Sequence, residues 1–207
     1  MDFKSARIFI AISSAIKSKN LKVIDFGGSA GVHYHDVRSV IPDEINLDWR
    51  VVETKQMVKD AKEQELETNE LSFYNSVKSA LKTEDEPIDL VIAFGSIHCC
   101  PEPYNSLKEL TKINCEKIVI SRTPIANEHL VLLQRSTLTS NGIGAIPKEL
   151  GLKDKMVSYP VAILERNKIE DILNKFGKID LRIDEDKNVY QTKKGSYDFF
   201  GYYVTKH

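Results

Sequence analysis

The run IDLVIAF, Ile88 to Phe94, constrains the fold most tightly. Apart from Asp89 every residue in it is apolar, so both of its faces need cover. Seven residues are too few for a buried helix, and a strand apolar on both faces belongs inside a parallel sheet with helices above and below. Similar short runs occur at Lys22–Phe26, Trp49–Glu53, Leu71–Tyr74 and Lys117–Ser121. Between them apolar residues take up helical spacing: Met57, Val58 and Ala61, then Val77 and Leu81, then Tyr104, Leu107, Leu110 and Ile113. This alternation predicts a doubly wound, Rossmann-like α/β fold of three α/β/α layers with a mostly parallel sheet.

The ends follow the same logic. Ile8, Ile12 and Ile16 mark one face of an amphipathic first helix. Asn167 is placed to cap a helix carrying Ile169, Ile172, Leu173 and Phe176. KIDLRID and YDFFGYYV, joined by the polar stretch 185–196, predict an antiparallel strand pair at the sheet's end. From Arg122 to Leu164 no βα unit can be read, and Gly142, Gly144, Pro147, Gly151 and Pro160 interrupt the pattern. So long a stretch predicts a lid-like insertion at about 122–164 in one domain spanning 1–207.

Charge narrows the class. The formal net charge is −1 over 207 residues, with no basic stripe interleaved with aromatics, which argues against a nucleic-acid partner. The first apolar run is too short to span a bilayer and lacks a cleavage region, so neither a membrane span nor a leader is expected. Cys99, Cys100 and Cys115 form no C-x-x-C pair. That points to a reducing, cytoplasmic setting without a zinc or disulfide framework.

The chemistry is suggested by VIDFGGSAGVHYHD, Val23 to Asp36. A strand runs into Gly27, Gly28, Ser29 and Gly31, a turn bare enough for a ligand to approach the backbone. The spacing is not the complete dinucleotide fingerprint, and a plain strand-to-helix turn uses the same residues. Asp25 lies within the apolar strand, where a carboxylate needs partners such as a ligand ammonium or the loop's N–H groups. Glu53 ends the second strand 22 residues after Gly31, near the spacing of a ribose-binding acid. It also suits the start of the next helix as a favourable charge. His33 and His35, two apart, do not share a helix face and suggest no metal site; they read as solvent-facing or cofactor-lining. His98 follows the fourth strand at the ligand-binding edge, either as a base or as pocket lining. Arg122 after the fifth strand can hold an acidic substrate group or pair with Glu128 or Asp89.

The segments D-F-G-G-S-A-G, V-V-E and D-L-V-I-A-F-G-S-I-H-C-C-P-E-P-Y resemble successive motifs of class I S-adenosylmethionine-dependent methyltransferases. With R-T-P at 122–124, Gln134 and Tyr159-Pro160, the chain resembles a small family of methyltransferases associated with bacterial surface-polysaccharide gene clusters. The resemblance implies S-adenosylmethionine as cofactor, with Asp25, Gly27, Gly28, Ser29 and Gly31 around its methionine end. It implies Glu53 on the ribose, Tyr74 and Asn75 near the adenine, and Phe94 and Ser96 near the sulfonium. His98 and Arg122 are then the catalytic candidates, and His129, Gln134 and Tyr159 the places for selectivity. The acceptor expected is a small molecule or carbohydrate. The short segment before the first strand leaves a second subunit, as in a homodimer, open as a way of closing the site. Two other readings stay open: an NAD(P)-dependent oxidoreductase, and a Rossmann-like partner subunit without catalysis.

Overall fold

A computed structural model describes residues 3–137, 139, 151, 153–185 and 189–207. Helix α1 (Phe3–Ala15) precedes strand β1 (Asn20–Phe26). Then come α2 (Val32–Arg38), β2 (Asn46–Val52), α3 (Lys55–Glu63), β3 (Leu71–Tyr74), α4 (Val77–Ala80) and β4 (Ile88–Phe94). A 3-10 turn (Ile97–Cys99) leads to α5 (Pro103–Lys112), β5 (Cys115–Ala126), β6 (Leu130–Thr137), β7 (Met156–Glu165) and α6 (Arg166–Phe176). The chain closes with β8 (Gly177–Asp184), β9 (Tyr190–Thr192) and β10 (Gly195–Lys206).

The main sheet has the order β3-β2-β1-β4-β5-β10-β8. Strands β3, β2, β1, β4 and β5 pair in parallel, and β10 runs antiparallel to both β5 and β8. The predicted architecture, including the C-terminal antiparallel pair, is the one observed. The two-sided apolar strand behaves as its composition requires. On one face Val91 and Ala93 meet Leu107 and Leu110 of α5 and Ile169 and Leu173 of α6, all buried. On the other, Leu90 and Ile92 share a core with Trp49 of β2, Ile8 and Ile12 of α1 and Val58 of α3.

The first two strands begin earlier than expected, at Asn20 and Asn46, β2 ends at Val52 rather than Glu53, and the polar stretch 185–196 contains β9; three other differences are larger. Glu165, not Asn167, precedes the first residue of α6, because β7 runs straight into the helix. Strand β5 continues five residues past Ser121. The stretch read as an interruption contains β6 and β7, an antiparallel ribbon registered from Leu130↔Ile163 to Thr137↔Met156. Gly142, Gly144 and Pro147 lie outside the described residues. The last residue of β5 paired with β4 is Ser121; beyond it β7 pairs with β5 at Ile125↔Leu164 and Ala126↔Glu165. The ribbon therefore springs from the carboxyl edge, past the end of β4. Alternation was hard to read there because the ribbon's exposed positions include Val131, Leu133 and Met156.

Candidate active site

The carboxyl ends of β1, β2, β4 and β5 converge on the glycine loop, as open α/β sheets require of a ligand site. Gly27 has φ +74°, and a Cβ there would fall 2.3 Å from Cβ of Ser96. The Ser96 hydroxyl donates to the Phe26 carbonyl at 2.6 Å and so ties the loop after β4 to the end of β1. At Gly28 a Cβ would fall 2.3 Å from Oδ2 of Asp25. Both glycines thus make room for the protein's own side chains. Ser29 adopts φ 54°, a left-handed conformation uncommon for a residue with a Cβ.

Glu53 stands one residue beyond β2. Its Oε1 accepts the Ser29 N–H at 3.0 Å and its Oε2 accepts the Thr54 N–H at 2.9 Å. Its own N–H donates to the Tyr74 carbonyl at 2.9 Å, which brings exposed Asn75 alongside. The acid and the bare loop form one wall.

Asp25 lies differently from the expectation of a ligand or loop partner. It is fully buried, and its carboxylate accepts Nε1–H of Trp49 at 3.2 Å and faces Nδ1 of His33 at 3.0 Å. The His33 ring also meets the edge of Phe94 at a centroid distance of 5.4 Å. Burial opposes its charge, but the charge and hydrogen bond of Asp25 more than offset this, and the His33 pKa stands above 6.5. His35 is exposed and touches only the Tyr34 ring among the described aromatic contacts. Sequence periodicity places His33 on a helix, but no local signal connects it to a carboxylate eight residues upstream on a strand.

His98 sits in the 3-10 turn. Its Nδ1 is buried without a hydrogen-bond partner, and burial, with Arg122 nearby, lowers its pKa to about 4. It is therefore neutral near neutral pH. Arg122 has φ 52°, and its side chain is exposed. Neither Asp89 nor Glu128 pairs with it: among the described residues its guanidinium has no ion pair, while Asp89 accepts the Lys22 N–H. Its backbone N–H donates to Oε2 of Glu185 at 2.5 Å. That carboxylate also accepts the Ser121 hydroxyl and pairs with Arg7 of α1 at 2.8 Å. Arg122 acts electrostatically on both His33 and His98, so the three cationic or neutral bases share one neighbourhood. His129 lies beside Tyr104, whose hydroxyl is 3.3 Å from its Nδ1. Gln134 and Tyr159 face each other across the ribbon. Desolvation raises the pKa values of the Cys99 and Cys100 thiols, which suits packing better than reactivity.

Among the described residues, no group of three His, Cys, Asp or Glu side chains is arranged to hold a metal, and no helix is long and apolar enough to cross a membrane. No protein-family model matches the chain, and no curated protein matches it in sequence. Solved structures do match its fold. The N-terminal domain of EvdMO1 with S-adenosylhomocysteine bound superposes with TM-score 0.60 at 11% identity, over 100% of this chain and 82% of that one. An S-adenosylmethionine-dependent methyltransferase from Clostridium acetobutylicum ATCC 824 gives 0.58 at 11%, over 100% and 92%. The cyclase SpnF gives 0.61 at 11%, over 98% and 80%. The chain has the Rossmann-like fold of class I methyltransferases. The cyclase shows that this fold also carries other chemistry, so the argument for function must come from the site.

Proposed function

We propose that the protein is an S-adenosylmethionine-dependent methyltransferase acting on a small-molecule or sugar-containing acceptor. The observation that carries the reading is the Glu53–Ser29 contact, which joins a strand-end carboxylate to the glycine loop. A ribose needs that acid, and the amino-acid arm of the same ligand needs that loop. The residues present fit the group. Glu53 keeps lone pairs for ribose hydroxyls beyond the two N–H groups it accepts, Asn75 stands beside it, and Phe94 ends β4 on the other side of β1. Of the loop, half-buried Gly27 and exposed Ser29 offer backbone to the methionine end, while Gly28 and Gly31 are buried against the protein's own side chains. Two of the fold neighbours named above bind an adenosyl ligand or use one, which supports the same reading.

When bound, the cofactor supplies an electrophilic methyl on a sulfonium. The chain's part is to hold the acceptor in line and exclude water, and orientation of this kind is worth about 7–11 kcal/mol. Arg122, with no ion pair among the described residues, is the proposed hold on an acidic group of the acceptor. His98 is the proposed proton acceptor. It is ready as a neutral ring, but at a pKa of about 4 it attracts a proton weakly. Positioning therefore contributes more than proton removal. The ribbon β6–β7 joins β5 past the end of β4 and beyond Arg122, which supports its role as the lid expected at 122–164. The link to surface polysaccharide rests on the motif resemblance, and a homodimer is part of the same proposal.

Titration calorimetry with S-adenosylmethionine, S-adenosylhomocysteine and NAD(H) tests the reading. Adenosyl ligands bind, and Glu53→Ala weakens them by about 1.5–3 kcal/mol, the worth of a charged hydrogen bond. Binding of NAD(H) alone transfers the site to an oxidoreductase, and binding of neither leaves a partner subunit.

A further inference from the structure

A ligand lying on the glycine loop would be expected to meet the carboxylate of Asp25. It does not, because Asp25 is fully buried and both of its oxygens lie within hydrogen-bond distance of His33 Nδ1. His33 itself is not sealed in, with 23% of its side chain exposed. The polarity at this end of the loop is thus the reverse of the one the sequence suggests. Arg122 adds a second cation with no ion pair among the described residues, and it repels a charged His33. An anion set between His33 and Arg122 relieves that repulsion.

We propose that His33, backed by Asp25, is the counter-ion for the methionine carboxylate of the adenosyl cofactor, so that cofactor affinity depends on the charge of this one ring. The inference rests on the adenosyl reading of the site. The groups facing the ring are Asp25 from β1 and Asp36 from α2, which favour its charge, and Arg122 from β5, which opposes it. Trp49 and Phe94 also pack here and carry no charge. The carboxylate binds best while the imidazolium persists, and its hold fades as pH rises through the His33 pKa, which lies above 6.5.

The test compares S-adenosylhomocysteine with 5′-methylthioadenosine, which has the nucleoside and thioether but no carboxylate. Calorimetry runs from about pH 6, below the ordinary histidine value, up to about pH 8.5. At low pH the carboxylate-bearing ligand gains roughly ten- to a hundredfold over the other, and the gain declines with pH. His33→Asn abolishes both the gain and its slope and leaves methylthioadenosine unchanged. His33→Gln with a melting curve guards against misfolding. As a further readout, nuclear magnetic resonance follows the His33 pKa, which rises with S-adenosylhomocysteine and not with methylthioadenosine. Equal losses for both ligands, a slope that survives in the variant, or a flat wild-type profile overturns the counter-ion while leaving the adenosyl site standing. Binding of neither ligand overturns both.

Discussion

Ser96 and Gly27 occupy one volume between them: the serine Cβ fills the place where a side chain at residue 27 would begin. The loop after β4 and the loop after β1 are therefore keyed together before any ligand arrives, with the Ser96 hydroxyl on the Phe26 carbonyl as the latch. Gly27→Ala forces a 2.3 Å contact apart and also puts a Cβ at φ +74°. A loss of about 1–3 kcal/mol follows from the backbone conformation alone. Thermal unfolding should show it as a fall of roughly 2–12 °C, and calorimetry as lost adenosyl binding. Unchanged melting and affinity would mean that the two loops are not keyed.

Arg122→Gln removes a cation that acts on His98. The His98 pKa, about 4 in the native protein, then rises, and nuclear magnetic resonance titration of the ring measures it. Because the exposed guanidinium has no ion pair among the described residues, stability should change by no more than about 0.5 kcal/mol. A His98 titration indifferent to Arg122 would place the two groups too far apart to share an acceptor.

Glu185→Gln breaks the pairing with Arg7 and weakens the acceptor for the Arg122 N–H. The side chains of Arg7 and Glu185 are 8% and 2% exposed, so the change removes a buried charged partner of Arg7, at a loss of about 1.5–3 kcal/mol. Denaturant unfolding tests this, and a wild-type midpoint contradicts it.

Glu86 governs the response to acid. Arg50, almost fully buried, is held by Glu86 and Asp48, and its hydrogen bonds first, then those of the Lys82 N–H and Lys22, keep the Glu86 pKa well below 4.5 against the opposing effect of burial. A depressed carboxyl pKa gives stability that is present above the unfolded value and lost as pH falls through the folded one. Stability should therefore fall below about pH 4.5 in the wild type, and Glu86→Gln should flatten that dependence while lowering stability at neutral pH. Equilibrium unfolding across that range decides the matter.

The parallel half of the fold was legible because β1 to β5 are short, apolar runs, and Ile88–Phe94 and Leu71–Tyr74 have the very limits expected. Glu53 was legible by spacing along the chain. His33, Trp49 and Glu185 were not, because each gains its meaning from a partner on another element: Asp25 for the first two, Arg122 and Arg7 for the third. Glu86 stood in what reads as a loop of surface charges, and only the fold brings Arg50 to it. The ribbon β6–β7 was missed because a strand pair with apolar residues facing outward does not alternate cleanly.

The Glu185 carboxylate that holds the Arg122 N–H lies 63 residues further along the chain, and it also holds Ser121 and, in the first helix, Arg7. During synthesis the glycine loop, Glu53 and His98 all emerge long before this carboxylate does. A nascent chain that ends before residue 185 would carry the glycine loop and Glu53 without the carboxylate that accepts the Arg122 N–H, and β10, which flanks β5 at Thr123, is made later still.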